Sequence, residues 1–202
     1  MKRIVVIAGV ACALALPGLA NAQTSGGTAR PATPRTSQGT TADTQGMVAA
    51  TDKTFATQAA VGGMAEVELG KLAAEKASNS DVKQFGQRMV DDHGKANDEL
   101  KSWASQHNVT LPADLDAKHK ATRDRLSKLS GEAFDKAYMR EMVTDHNKDV
   151  AEFQRASKTA KNADLKAWAG KTLPTLQEHQ RMAKDINAKV GGGTAAGKTP
   201  KK

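Results

Sequence analysis

The chain has 202 residues, 39% hydrophobic and 26% charged, with aromatics at only 3%, which excludes a sandwich or barrel built on aromatic cross-strand pairs. Its formal charge of +8 comes from 30 Lys+Arg against 22 Asp+Glu, but seven of the basic and one of the acidic residues lie outside 47–190, leaving 23 against 21 inside. That near-neutral balance removes any compositional warrant for a nucleic-acid surface.

The first 22 residues read as an export signal. Lys2 and Arg3 form a positive start, and residues 4–16 are an apolar run too short for a spanning helix of about 20 residues. Pro17-Gly18 breaks the run, and Ala20-Asn21-Ala22 supplies small residues for cleavage after Ala22. The expected location is therefore exported, in the periplasm. Cys12 lacks the leucine three positions earlier that a lipoprotein signal requires. It is the chain's one cysteine, so the mature protein has neither disulfide nor thiolate ligand. No second apolar run appears, so no transmembrane segment is expected in the mature chain. Residues 23–46, rich in Thr, Ser, Gly and Pro, read as a disordered linker, and 191–202 as a disordered basic tail.

Between them, at 47–190, lies one helical domain. The first helix is expected from about residue 51 to 77, with Phe55, Ala59, Gly62, Glu66, Leu69 and Ala73 on its apolar stripe. The second follows Ser78-Asn79-Ser80, which offers capping oxygens, and runs to about His107. Its stripe is Val82, Phe85, Met89, His93, Ala96, Leu100 and Trp103. A short amphipathic stretch at 115–129 follows Pro112. The third long helix is expected at 131–159, capped by Ser130, with Met139, Met142, His146, Val150 and Phe153 inward. The fourth starts after Asn162 and stops before Gly191, with Leu165, Trp168, Thr172, Leu176, His179, Ala183, Ile186 and Val190 inward and a kink expected at Pro174.

Two tight joints and one long one specify the wiring. A helix of 28 residues spans about 42 Å, and the stretch between the second and third long helices is long enough to return that distance. The expected fold is all-α: a ferritin-like four-helix bundle of two antiparallel hairpins joined by a long crossover carrying a short helix. A plain up-down bundle with a decorated loop is the alternative. A short repeat, Phe85-x3-Met89-Val90-Asp91-Asp92-His93 against Tyr138-x3-Met142-Val143-Thr144-Asp145-His146, puts the same chemistry on two helices.

Three histidines, His93, His146 and His179, fall on three apolar stripes, and Glu66 falls on the fourth. All four lie within about a turn of mid-helix, so bundling brings them to one level of the core. Imidazoles and a carboxylate converging there suit a transition metal: copper, iron, zinc or manganese. Asp92, Asp145 and Glu178 precede the histidines and Glu68 follows Glu66, as supporting or alternate ligands. Met89, Met142 and Met182 add thioethers one turn away as soft ligands, although such spacing also serves core packing. The competing reading is a metal-free histidine layer that only sets packing. A small metallo-oxidase would need an open coordination position. No catalytic motif is present, so the reading leans away from an enzyme.

The segments GGMAEVELGKLAAEKASNSDVKQFGQRMVDDHGKANDELKSWA, AYMREMVTDHNKDVAEFQ and LKAWAGKTLPTLQEH, with TLPADLDAKHK between the first two, resemble an exported bacterial family of unknown function. Its members are often labelled outer membrane proteins. The resemblance covers roughly residues 50–188 and implies a ferritin-like bundle without a known activity. The Glu-x-x-His pairs of di-iron ferritins are absent: Val90 and Leu176 stand three before His93 and His179. The alternating strands of a barrel are absent from the sequence as well.

Overall fold

A computed structural model describes residues 47–192. The leader, the linker to residue 46 and the tail beyond Gly192 lie outside the described residues. Five helices appear among the described residues and no strand: α1 (Ala50–Lys76), α2 (Ser80–Gln106), α3 (Ala117–Ser127), α4 (Gly131–Thr159) and α5 (Ala163–Gly191). The long helices begin and end within a few residues of the expected positions. The crossover helix is shorter than expected, 11 residues, because Asp116 caps it by accepting from the His119 amide at 2.8 Å. Its flanking Leu115 is buried and Leu129 packs on the core. Ser130 occupies the cap position of α4, but its side chain makes no capping bond. Helix α5 continues through Pro174, which stands exposed.

Two buried aspartates fix the wiring. Asp52, at the start of α1, accepts from the Lys161 and Asn162 amides at 2.9 and 2.7 Å in the turn between α4 and α5. Asp135, near the start of α4, accepts from the Ser78 amide and hydroxyl and the Asn79 amide, at 3.1, 2.6 and 3.0 Å, in the turn between α1 and α2. Each helix that opens a hairpin thus clamps the turn of the other hairpin. It follows that α4 starts at the end of the domain where α1 finishes. With three-residue turns inside each hairpin, α1 and α5 run one way and α2 and α4 the other, and the crossover spans the length of the domain. The Trp103 indole, donating to Asn162 Oδ1 at 2.9 Å, agrees: it joins the end of α2 to the start of α5.

The clamps reveal a repeat longer than the motif pair noted above. Asp52-Lys53-x-Phe55 matches Asp135-Lys136-x-Tyr138. Ala77-x-Asn79-x-Asp81-Val82-Lys83-x-Phe85 matches Ala160-x-Asn162-x-Asp164-Leu165-Lys166-x-Trp168 at the same 83-residue offset. The shared asparagines cap α2 and α5 from equivalent turns: Asn79 accepts from Asp81 N and Val82 N, and Asn162 from Leu165 N. The repeating unit is therefore a whole hairpin.

The core is divided. Towards one end Leu69, Phe85, Met89, Tyr138, Met139 and Met142 pack together with Ile186; towards the other Phe55, Leu100, Trp103, Phe153, Leu165 and Trp168 do. Between these two apolar zones, on every long helix, stands one of the polar residues Glu66, His93, His146 and His179. Near the first zone α1 and α2 approach closely at Gly70 and Gly86. A β-carbon built at Gly70 would lie 2.5 Å from the Gly86 carbonyl oxygen, so only hydrogen fits there.

Candidate metal centre

All four residues placed at mid-bundle by their stripe positions are buried: Glu66 and His93 nearly so, His146 and His179 completely. The imidazoles form a triangle with ring centroids 5.7 Å (His93–His146), 5.4 Å (His93–His179) and 5.4 Å (His146–His179) apart. Phe85 closes one side, edge-on to His146 and His179. One nitrogen from each ring lies within 4.8 Å of the others. Ligand nitrogens at about 2.0–2.1 Å from a shared metal would stand nearer to about 3.3 Å apart, so small side-chain rotations would close the set.

The hydrogen bonds set the direction of two rings. The His146 Nδ1–H donates to the Met142 carbonyl at 2.9 Å, which leaves Nε2 as a lone pair, buried and without a partner. The His179 Nε2–H donates to Asp92 Oδ2 at 2.9 Å, which leaves Nδ1 in the same condition. Fixing one ring nitrogen as donor so that the other presents a lone pair is how proteins prepare imidazole for a metal. His93 Nε2 is also buried and unpartnered. It lies 3.8 Å from Glu66 Oε2, and His146 Nδ1 lies 3.6 Å from Glu66 Oε1, both beyond hydrogen-bonding contact. Both Glu66 oxygens are orphaned. Five buried polar atoms on four side chains thus lack partners at one level. Each orphan costs about 1–3 kcal/mol in an apo bundle, and one cation would satisfy them together. These residues fit a metal.

The electrostatics agree. Burial, then the proximity of His146 and His179, holds His93 well below the ordinary 6.5. Burial carries His146 down to about 4, with His179 adding to the effect. Burial lowers His179 as well, against the opposing bond from Asp92. All three are neutral, ligand-competent imidazoles at pH 7. Burial pushes Glu66 well above the usual carboxylate range, and Asp149, Asp145 and Glu141 raise it further. A negative potential from these acidic groups therefore surrounds an uncharged layer, which favours a cation.

The remaining candidates separate. Asp92 supports His179 and is held in turn by Arg88 at 3.3 Å; burial works to raise it, but these bonds keep it below the carboxylate norm. Glu178 pairs with Arg181 at 2.6 Å, and Glu68 with Arg123 at 3.2 Å. Asp145 is half-buried, raised by burial and by Glu141. Met89 and Met142 are fully buried in the apolar zone beside the layer, and Met182 packs on its edge. His107 and His119 stay away from the layer, paired with Asp164 and Asp116.

Asp149 is a group that stripe reasoning missed. It matches Glu66 in the hairpin repeat, and that offset is the signal that would have found it. Burial first, and Asp145 next, push its carboxyl up to about 7. The native state keeps this proton where the unfolded chain has lost it, so stability falls as pH rises from about 4 through 7. Asp149→Asn should therefore stabilise the apo domain by about 1–2 kcal/mol at pH 8, allowing for partial exposure, and leave it unchanged at pH 4. Denaturant melts at the two pH values check this; an equal effect at both would contradict it.

No curated protein matches the chain. Solved structures share its fold, among them the following three. A DUF305 protein from Streptomyces coelicolor described as secreted is 14% identical, with a TM-score of 0.60 over 73% of this chain and 98% of its own. A DUF305 fragment from Deinococcus radiodurans is 12% identical, with a TM-score of 0.62 over 70% and 98%. CopM in its Cu(II)-bound form is 16% identical, with a TM-score of 0.59 over 68% and 96%. At such identities the likeness is one of fold alone. Among the described residues no helix is long and apolar enough to cross a membrane. The model of the domain of unknown function DUF4142 matches residues 37–186, and the chain belongs to that family.

Proposed function

We propose that this domain is an exported, ferritin-like metal-binding protein that holds one transition-metal ion at mid-bundle on His93, His146 and His179, with Glu66 as the fourth ligand. The observation that carries the reading is the pair of prepared lone pairs, His146 Nε2 and His179 Nδ1, each buried and unpartnered while its ring's other nitrogen donates elsewhere. The ferritin-like assignment is supported by a crossover that runs the length of the domain between two hairpins. Copper(II) heads the metals: it tops the divalent affinity order on imidazole ligands, and a protein of similar fold is known in a Cu(II)-bound form. Iron, zinc and manganese follow. Binding or buffering of the ion is the function proposed, without turnover.

Titration of the tag-free domain with Cu(II), followed by electron paramagnetic resonance, tests this. The expected result is saturation at one equivalent, with superhyperfine structure from three imidazole nitrogens. A spectrum of surface-bound copper with no fixed nitrogen count would sink it. A second reading, a metal-free layer that sets packing, is supported by burial holding all four groups uncharged, with Glu66 raised and the three imidazoles lowered. On that reading His146→Leu would be neutral or stabilising, because it removes buried polarity.

Export is supported by the positive, apolar and small-residue segments of residues 1–22 and by the secreted description of one fold neighbour. The periplasmic form should begin at Gln23. Intact mass checks this, and a species beginning at a lipidated Cys12 would contradict it.

A further inference from the structure

The two sides of the histidine layer carry opposite charge. In the repeated motif Arg88 stands one turn before Asp92, and Glu141 takes the matching place one turn before Asp145. On α2 and α5 the acids beside the layer are paired: Arg88 and His179 hold Asp92, and Arg181 holds Glu178. On α4 they are not. Asp145 and Asp149, one turn apart and half-buried, make no hydrogen bond or ion pair with any described residue. Lys118 of α3 acts on both carboxylates but pairs with neither. Further in, on α1, stands Glu66, 3% exposed with both oxygens orphaned. Of the charges acting on Glu66, Asp149 comes first, then Asp145 and Glu141. Three carboxylates on two packed helices, α1 and α4, thus share one seam and lack a cation. Buried carboxylates are otherwise paired or bound to a metal.

The seam is roofed but not sealed. Helix α3 lies along both α1 and α4, tied to α1 by Arg123 on Glu68 at 3.2 Å and to α4 by Arg125 on Glu141 at 2.6 Å. Asp149 and Gly62 line one small recess that is open on one side. An added β-carbon at Gly62, one turn before Glu66, would meet nothing within 4 Å. We propose that Asp145 and Asp149 form the loading site of the metal centre, taking a divalent transition-metal cation from solvent at the α1–α4 seam and passing it by way of Glu66 to the imidazoles. The proposal rests on the metal-binding reading above and deepens it. An ion entering a core must give up its water, at a large cost unless charged oxygens replace that water on the way. Carboxylates at the rim, then one inside, then neutral imidazoles make such a sequence. The α2–α5 side is a poor entrance, because the guanidinium groups of Arg88 and Arg181 stand there and repel a cation.

The test follows Cu(II) uptake by the apo, tag-free domain in stopped flow, read as quenching of tryptophan fluorescence, and Cu(II) release to an excess of chelator. The double variant Asp145→Asn, Asp149→Asn should slow uptake about 10-fold or more, the scale on which fixed charges steer an ion, and weaken its dependence on salt. Release should slow as well, because the ion leaves by the seam through which it entered. Asp185→Asn, an exposed acid on α5 paired with Arg181, should change neither rate. If the double variant does not fold, Asp149→Asn decides alone. Uptake unchanged in the variant, or uptake unchanged with faster release and lower affinity, overturns this inference and leaves the metal-binding reading standing. In the second case the two acids only add to the field around a site loaded elsewhere. A wild-type domain that takes up no copper overturns both.

Discussion

Replacing any one of His93, His146 or His179 with alanine should lower copper affinity about 100-fold or more, measured by competition with a chelator of known strength. Four stiff helices hold the ligands, each anchored in two apolar zones, so the surviving side chains cannot move to replace the missing one. Asp92→Asn should cost about 10- to 100-fold, because it weakens the acceptor that orients His179 without touching the ion. His107→Ala and His119→Ala should change nothing, since both rings pair with aspartates outside the layer. The pH dependence has a definite sign. Binding competes with imidazole protonation, and burial holds His146 down to about 4, against 6.5 for a free imidazole. Imidazole protonation should therefore cost copper only near pH 4–5, below where a surface histidine cluster releases it; the pH dependence above that comes from Glu66, whose proton burial retains, and Glu66→Gln should remove it so that copper stays bound as pH falls through 6. Equal losses from His107→Ala and His146→Ala would contradict this account.

The second large effect is structural. Asp135→Ala should destabilise the domain by about 3 kcal/mol, some 5–10 °C in thermal midpoint, because a buried carboxylate accepting three bonds from one turn disappears and leaves the Ser78 and Asn79 amides unpaired. Asp52→Ala should do the same at the opposite end, where the Lys161 and Asn162 amides depend on it. Neither change should alter metal stoichiometry in the folded fraction, because the clamps sit at the ends and the site at mid-bundle. Asp124→Ala, on the exposed surface of α3, should shift the midpoint by no more than a degree or two. A midpoint unchanged in Asp135→Ala would show that the hairpins do not need their clamps.

The sequence carried the four long helices because each has an apolar stripe at helical spacing, and Asn79 and Asn162 mark where α2 and α5 begin. It also carried the level of the four polar residues, since helices of known length fixed at short turns leave little freedom along the axis. Rotation about that axis was not legible. Asp92, Asp145 and Glu178 each precede a histidine and stand about 100° round the helix from it. Of the three, only Asp92 hydrogen-bonds an imidazole of the layer, that of His179; Glu178 meets Arg181 on its own helix. Asp52 and Asp135 look in sequence like ordinary first-turn acids, and only the 83-residue hairpin repeat marks them as paired.

The most direct test of the central claim is metal per chain in the exported protein, purified without a histidine tag and loaded anaerobically with copper, iron(II), zinc and manganese in turn. The account predicts close to one ion per chain for at least one of them, abolished in the His146→Ala variant. A content well below one with all four metals would contradict it, and the buried layer of Glu66, His93, His146 and His179 would then be packing.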